Sequence, residues 1–147
     1  MLDFLVRDDA TLRKILAETK TVAVVGLSSN PMRPSNNVAS YLQSVGYRII
    51  PVNPNETEVL GERAVASLPE LVGRGVDAVE IFRRAAYVAS YVDDAAAIGA
   101  KVFWMQDGTG SRAAAEKAHA RGLTVVMDRC MLRDHSRLIS SRGRGNT

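Results

Sequence analysis

Between Gly26 and Ser35 the chain reads GLSSNPMRPS, and these residue types at this spacing suit the gripping of an anion. Gly26 closes an apolar, β-branched run, VAVVG, as the first strand of a nucleotide-binding fold would close. The G-x-G-x-x-G turn of a dinucleotide site should follow. Its later glycines are replaced by Ser28, Ser29 and Asn30, and then by Arg33-Pro34-Ser35. Backbone N–H groups, hydroxyls and a helix start favour phosphate, and an arginine such as Arg33 can hold two phosphate oxygens at once. A tight turn with a capping Ser35 and a solvated Arg33 would read the same, so this loop alone leaves both readings open.

Two further stretches bear on the ligand. A dinucleotide site ends its second strand on Asp or Glu, which holds the adenosine ribose; here the strand ends Val52-Asn53-Pro54-Asn55. With no carboxylate there, NAD and FAD are disfavoured, although Asn53 can still reach an adenosine, and Asn-Pro-Asn also reads as a turn. Phe82-Arg83-Arg84 sets two fixed positive charges after another apolar run. Neighbouring side chains on an extended strand point to opposite sides, which assigns Arg83 to a ligand and Arg84 to the surface.

Catalytic chemistry has little support. His119 in AAAEKAHARG reads as a solvent-facing residue; His135 follows a strand end and could approach the ligand mouth, but in its Asp/Arg-rich segment it reads more readily as a helix-end or surface histidine than as a catalytic one. No triad, acid pair or metal constellation stands out, and no catalytic or metal-binding residue is assigned. Cys130 is the one cysteine, so neither an internal disulfide nor a cysteine metal cluster is available. It reads as a small buried hydrophobe, or as a thiol able to exchange with a thiol ligand if its pKa were lowered. Trp104 reads as core.

These residues need elements to position them. A first helix is expected from near Asp9, which can cap it, with Leu12, Ile15, Leu16 and Thr19 on one face, and a buried strand at 21–25. Ser35 should cap a helix with Val38, Leu42 and Val45 inward and Gly46 at its end. The strand RIIPV at 48–52 carries Pro51, which argues for an edge position. ETEVLGERAVASLPELV supplies a short extended piece and a short helix opened by Ser67 and Pro69. Then come the strand DAVEIF at 77–82, a helix with Val88, Val92 and Ala95 on one face and Gly99 as its stop, the strand KVFWM, a helix over 113–120 and the strand TVVM. Strands alternating with helices predict an α/β, Rossmann-like, doubly wound and mostly parallel sheet of about five strands, with helices on both faces. In such sheets ligands sit outside the C-terminal strand ends, where the order reverses; the loops just named are those ends.

The 147 residues suit one domain, expected over 1–138, and 46% hydrophobic with 24% charged residues is ordinary for a soluble protein. No apolar run approaches the ~18 residues of a membrane span. The start, MLDFLVRDDATLRKIL, lacks the pattern of a signal peptide, so a cytoplasmic location and no membrane partner are expected. The net charge of +3 resides after residue 132, where Arg133, Arg137, Arg142 and Arg144 face one acid, Asp134. Residues 139–147 are expected to form a disordered basic tail, and a nucleic-acid partner is not expected.

The ordered series VVGLSSNPMRPSNNVASYL, GYRIIPVNPNETEVLGERAVASL, DAVEIFRR, GAKVFWMQDG and GLTVVMDRCMLRDH resembles the stand-alone coenzyme A-binding proteins. It is similar to the CoA-binding domain of the succinyl-CoA synthetase α chain and of related ADP-forming acyl-CoA synthetases. The resemblance runs from about Val22 to about His135. It implies that Gly26, Ser28, Ser29, Arg33 and Ser35 surround phosphate, that Asn53 and Pro54 border the adenosine, that Phe82 and Arg83 flank the nucleotide, and that Gln106 lies near the pantetheine path. Asp107-Gly108-Thr109-Gly110 is more polar than that pattern after its WMQ strand. The synthetases' phosphorylated histidine and ATP-grasp subunit have no counterpart in 147 residues. The resemblance therefore implies CoA or acyl-CoA as ligand and a non-catalytic carrier, sensor or partner of a synthetase. The alternative is an NAD(P)-dependent reductase or other nucleotide-using enzyme on the same sheet, and an adaptor acting through the arginine tail is a further rival.

Overall fold

The computed structural model describes residues 2–140. Helix α1 (Asp9–Glu18) leads into strand β1 (Thr21–Val25), followed by α2 (Pro34–Ser44) and β2 (Arg48–Val52). A small hairpin, β3 (Glu58–Val59) and β4 (Glu62–Arg63), and a 3-10 turn, Leu68–Leu71, precede β5 (Ala78–Ile81). The chain continues through α3 (Ala85–Val88), a second 3-10 turn, α4 (Val92–Ala97), β6 (Val102–Met105), α5 (Arg112–Ala120), β7 (Thr124–Met127) and α6 (Met131–His135). Five strands form one parallel sheet in the order β2-β1-β5-β6-β7. The fold is α/β and Rossmann-like, as expected.

All five residues of β1 are buried, because helices cover both faces of the sheet. Val22 and Val24 pack with Leu12 and Leu16 of α1, Val38 and Leu42 of α2, and Met131. Ala23 and Val25 turn the other way, to Val92, Ala95, Ala115 and Ala118 of α4 and α5. β2 is an edge, as Pro51 requires, since a residue without N–H cannot complete a ladder on both sides. At the opposite edge the N-terminal segment covers β7, with the Val6 N–H donating to Val125 O (3.0 Å).

Several local expectations need correction. Asp8, not Asp9, caps α1, its carboxylate accepting the Thr11 N–H (2.9 Å). Arg33 takes the cap position of α2, with Pro34 in the first turn, where a missing N–H costs nothing. Ser35 is therefore inside the helix and buried. Val45 is exposed, because α2 ends at Ser44 and the chain leaves the core face there. The hairpin β3–β4 appears where only a short extended piece was expected. A helical turn over Ser136–Ser140 seats Leu138 in the core. Residues 141–147 of the proposed tail lie outside the described residues. Among the described residues no helix is long and apolar enough to cross a membrane.

Candidate functional site

The chain leaves β1 toward β2 on one side and returns past β1 to β5 on the other, so the order reverses between β1 and β5. Three strand ends are tied together there. The Gly26 N–H donates to Val52 O (2.8 Å) and the Phe82 N–H to Val25 O (2.9 Å). Gly26 has φ +85°, and a Cβ on it would stand 2.8 Å from the Phe82 carbonyl oxygen. Only glycine meets both demands, which brings the loop after β1 against the loop after β5.

Above this junction opens a cleft of about 860 Å³. Its lining includes Gly26, Ser28, Arg33, Ser35, Asn53, Phe82 and Gln106, seven of the ten residues expected from sequence. Arg83 and Pro54 line a neighbouring hollow that also holds Gly26 and Asn53. Ser29 is exposed and lines neither; its N–H donates to Glu56 Oε2 (2.6 Å).

The loop is held from within. The Ser28 N–H donates to Ser35 Oγ (3.1 Å), the Asn30 N–H to Ser28 Oγ (3.0 Å), and Asn36 Nδ2 to Ser28 O (2.9 Å). Each serine hydroxyl accepts here and keeps its own proton to donate. Ser35 is thus a brace of the loop rather than the helix cap. Asn53 fastens the second strand end to the first, Nδ2 donating to Leu27 O (3.0 Å) while Oδ1 accepts the Asn55 N–H (2.9 Å).

Glu56 was missed in the sequence. It lines the cleft from three residues beyond Asn53, so a carboxylate does reach the region where none was expected. Asn37, Asn55, Asp107, Thr109 and Cys130 join the lining as well. The polar stretch after Gln106 is a built turn. Thr109 is buried with its Oγ1 donating to Gln106 O (2.7 Å), and the Gly110 N–H donates to Asp128 Oδ1 (2.8 Å). A Cβ on Gly110 would fall within 2.6 Å of three atoms of that carboxylate group, so no other residue fits this clasp without displacing it.

Arg83 and Arg84 depart from the alternation expected of a strand. β5 stops at Ile81 and the chain bends, so both arginines line one hollow with Arg33, Phe82 and Tyr87. The Arg83 guanidinium lies over the Tyr87 ring, 5.1 Å from its centroid.

Beneath the cleft floor lies a group that sequence reading passed over. Glu80 is 0% exposed, and among the described residues neither carboxyl oxygen has a hydrogen-bond partner. Burial pushes its pKa up to about 8, so it stays largely protonated at neutral pH. It pairs in register with Trp104, two residues before Gln106, whose buried Oε1 also lacks a partner. An acid in the middle of DAVEIF, a strand buried on both faces, was the available signal.

Neither histidine lines the cleft. His135 is buried between the rings of Tyr41 and Tyr47, with Nδ1 2.9 Å from the Tyr41 hydroxyl, and burial lowers its pKa. It is therefore a packed residue rather than a surface one. His119 is exposed on one side and stacks on Phe4 on the other. Trp104 is core, its Nε1 donating to Arg129 O (2.8 Å). Among the described residues no group of three or more His, Cys, Asp or Glu could hold a metal.

The fold and the cleft define a doubly wound α/β protein with a serine-rich loop and a cleft at its switch point. The chain belongs to the CoA binding domain family, whose model matches residues 20–136. It is 40% identical over 127 residues to the uncharacterized protein YneT of Bacillus subtilis (strain 168), covering 86% of this chain and 93% of that one. A hypothetical protein from Pyrococcus horikoshii OT3 superposes with a TM-score of 0.87 at 39% identity, over 90% of this chain and 93% of that one. Prb, the PH1109 protein redesigned for binding, gives 0.88 at 38% identity, over 92% and 94%. A dinucleotide-forming acetyl-coenzyme A synthetase from Ca. Korarchaeum cryptofilum shares the fold, with a TM-score of 0.63 at 23% identity over 74% of this chain and 26% of that one.

Proposed function

We propose that the cleft binds coenzyme A or an acyl-CoA through its 3′-phospho-ADP moiety, and that the protein is a cytoplasmic binding module rather than an enzyme. A carrier, a sensor or a partner of an acyl-CoA synthetase would each use such a module. The observation that carries this reading is that the family match spans every loop of the cleft, from Gly26 to Cys130. The chemistry of the lining supports it: hydroxyl protons of Ser28 and Ser35 and the guanidinium of Arg33 suit a diphosphate, while Asn53 and Pro54 border the place for the adenosine. Gln106 and Cys130, on the far side of the cleft, suit the pantetheine arm.

Glu56 favours one competing reading, because a carboxylate near the second strand end can hold the ribose of a dinucleotide. Isothermal titration of ligand-stripped protein separates the two. Micromolar or tighter CoA binding, undisturbed by NADPH, is the expected result. Binding of NADPH in the absence of any CoA binding would make the protein a dinucleotide enzyme instead.

A further inference from the structure

At the β7 end of the cleft the lining includes the chain's one cysteine, and its neighbours hold it in place. β7 stops at Met127, and Asp128 turns the chain with φ +56° while its carboxylate clasps the Gly110 N–H (2.8 Å). Arg129 is fixed twice: its carbonyl oxygen accepts Trp104 Nε1–H (2.8 Å), and its guanidinium grips Asp134 (2.8 and 3.0 Å). Cys130 follows, directly before α6, its carbonyl oxygen accepting the Asp134 N–H (2.9 Å). The residue is only 8% exposed, yet it lines the cleft, which gives access to the thiol.

A second group lies on the way to that thiol. Gln106 is 6% exposed and lines the cleft, and among the described residues its buried Oε1 has no hydrogen-bond partner. A buried acceptor without a donor is costly, and an N–H carried into the cleft by a ligand removes that cost. Sheet order sets Gln106, after β6, between the Gly26–Ser35 loop after β1 and Cys130 after β7. Three strand spacings separate β1 from β7, about 14 Å across the sheet. The arm of CoA from its diphosphate to its sulfur is an unbranched path of about twelve bonds through amide groups, which at the reach of an extended peptide spans about 13–14 Å. A ligand anchored at the serine loop therefore carries an amide N–H past Gln106 and its sulfur to Cys130.

We propose that Cys130 is a redox modification site that the cleft reserves for its own ligand. The Cys130 thiol gives its proton to solvent, and the thiolate attacks one sulfur of a CoA disulfide. That S–S bond breaks, a Cys130–CoA mixed disulfide forms, and the second CoA leaves as thiolate, which takes up a proton. The CoA disulfide is the oxidant, and its departing half is the reduced product. With no second cysteine in the chain, nothing within it displaces the bound CoA, so the adduct persists until an outside thiol reduces it. The tethered CoA fills the cleft and closes the protein to further ligand. This rests on the CoA reading and adds a redox control to it.

The test incubates the reduced full chain and Cys130→Ser with CoA disulfide, and in parallel with glutathione disulfide at the same concentration, and follows intact mass with time. The parent should gain one CoA, lose it on treatment with dithiothreitol, and fail to bind free CoA by titration while modified; Cys130→Ser should gain nothing. Anchoring by the nucleotide raises the local concentration of the disulfide, so CoA disulfide should react faster than glutathione disulfide by on the order of tenfold or more. Excess reduced CoA should slow the first reaction and leave the second as it was. Equal rates for the two disulfides, or no protection by reduced CoA, would make Cys130 an ordinary thiol exposed by local opening and would overturn the proposal. Absence of an adduct in a parent that binds CoA by titration would overturn it too and leave the CoA reading intact. A parent that neither binds CoA nor forms the adduct would overturn both.

Discussion

Two sets of arginines, one around α6 and one around the loops after β1 and β5, differ in what they are paired with. Around α6, Arg129 grips Asp134 with two hydrogen bonds (2.8 and 3.0 Å), Arg133 reaches Asp107 (2.9 Å), and Arg137 joins Asp9 (3.0 Å). Around the β1 and β5 loops, Arg33, Arg83 and Arg84 have no such partners among the described residues. The difference lies in what each group holds. Asp134 is 2% exposed, so its arginine replaces lost water and fastens α6 to the sheet. The second group is exposed and keeps its water, so it needs no partner to offset burial. Paired cations here fasten α6; the unpaired ones line the hollow beside the cleft.

Removing a member of the first group should have the largest effect. Arg129→Ala leaves the buried Asp134 with only Arg137, at 3.4 Å. Breaking a buried pair costs 3–5 kcal/mol, and the 29% exposure of the Arg129 side chain reduces this to about 2–4 kcal/mol of stability, read by urea unfolding. Arg33→Ala and Arg83→Ala should do the reverse. CoA affinity should fall by about 1.5–3 kcal/mol each, the range of a charged hydrogen bond, while stability stays within about 0.5 kcal/mol. Loss of stability in Arg83→Ala comparable to that in Arg129→Ala would erase the distinction.

Glu80 sharpens the comparison because it is a fully buried acid with no arginine or other hydrogen-bond partner among the described residues. Its folded pKa, pushed to about 8, exceeds the ordinary 4.5, so the folded state binds the extra proton between those values. The stability linked to that proton is full below about pH 4.5 and is lost as pH climbs to about 8. Glu80→Gln cannot ionise. Its stability relative to the parent should therefore rise steadily across that window and level off above it, measured by urea unfolding at several pH values. A flat difference would mean that Glu80 ionises freely in the folded protein.

How much of this was legible in the sequence depends on how local the cause was. β-Branched runs fixed the five strands, and Pro51 placed β2 at the edge, because both act through the backbone of the residue itself. The candidate cleft residues Gly26, Ser28, Arg33, Ser35, Asn53, Phe82 and Gln106 could be gathered from one rule, that strand ends at the switch point converge. Arg84, exposed as expected, lines the same hollow as Arg83, because alternation holds only while a strand lasts and β5 ends three residues earlier. Glu56 was invisible for the opposite reason: the crossover through α2 and β2 and the turn after β2 bring it back over Ser29, a contact across 27 positions in the chain that no periodicity records. Asp134 and Arg129 looked like part of a charged surface, since only the packing of α6 reveals which of those charges lost its water.

The smallest effect should come from Arg137, and it tests the pairing idea from its weak side. Its bond to Asp9 joins two exposed groups, and salt and water screen such pairs until little net stability remains. The Arg137 guanidinium beside Asp9 does lower that carboxyl's pKa, through a hydrogen bond first and charge second. Any stability from it is therefore present above the ordinary carboxylate range near pH 3.8 and is lost as pH falls below it. Alone, Arg137→Ala should leave unfolding at pH 7 unchanged within error. In an Arg129→Ala background it should not, because Arg137 is then the remaining cation within 3.4 Å of the buried Asp134. A double-mutant cycle should thus show clear coupling between the two arginines. Strict additivity would mean that Asp134 does not depend on these cations, and that its burial is sustained by the packing of α6 alone.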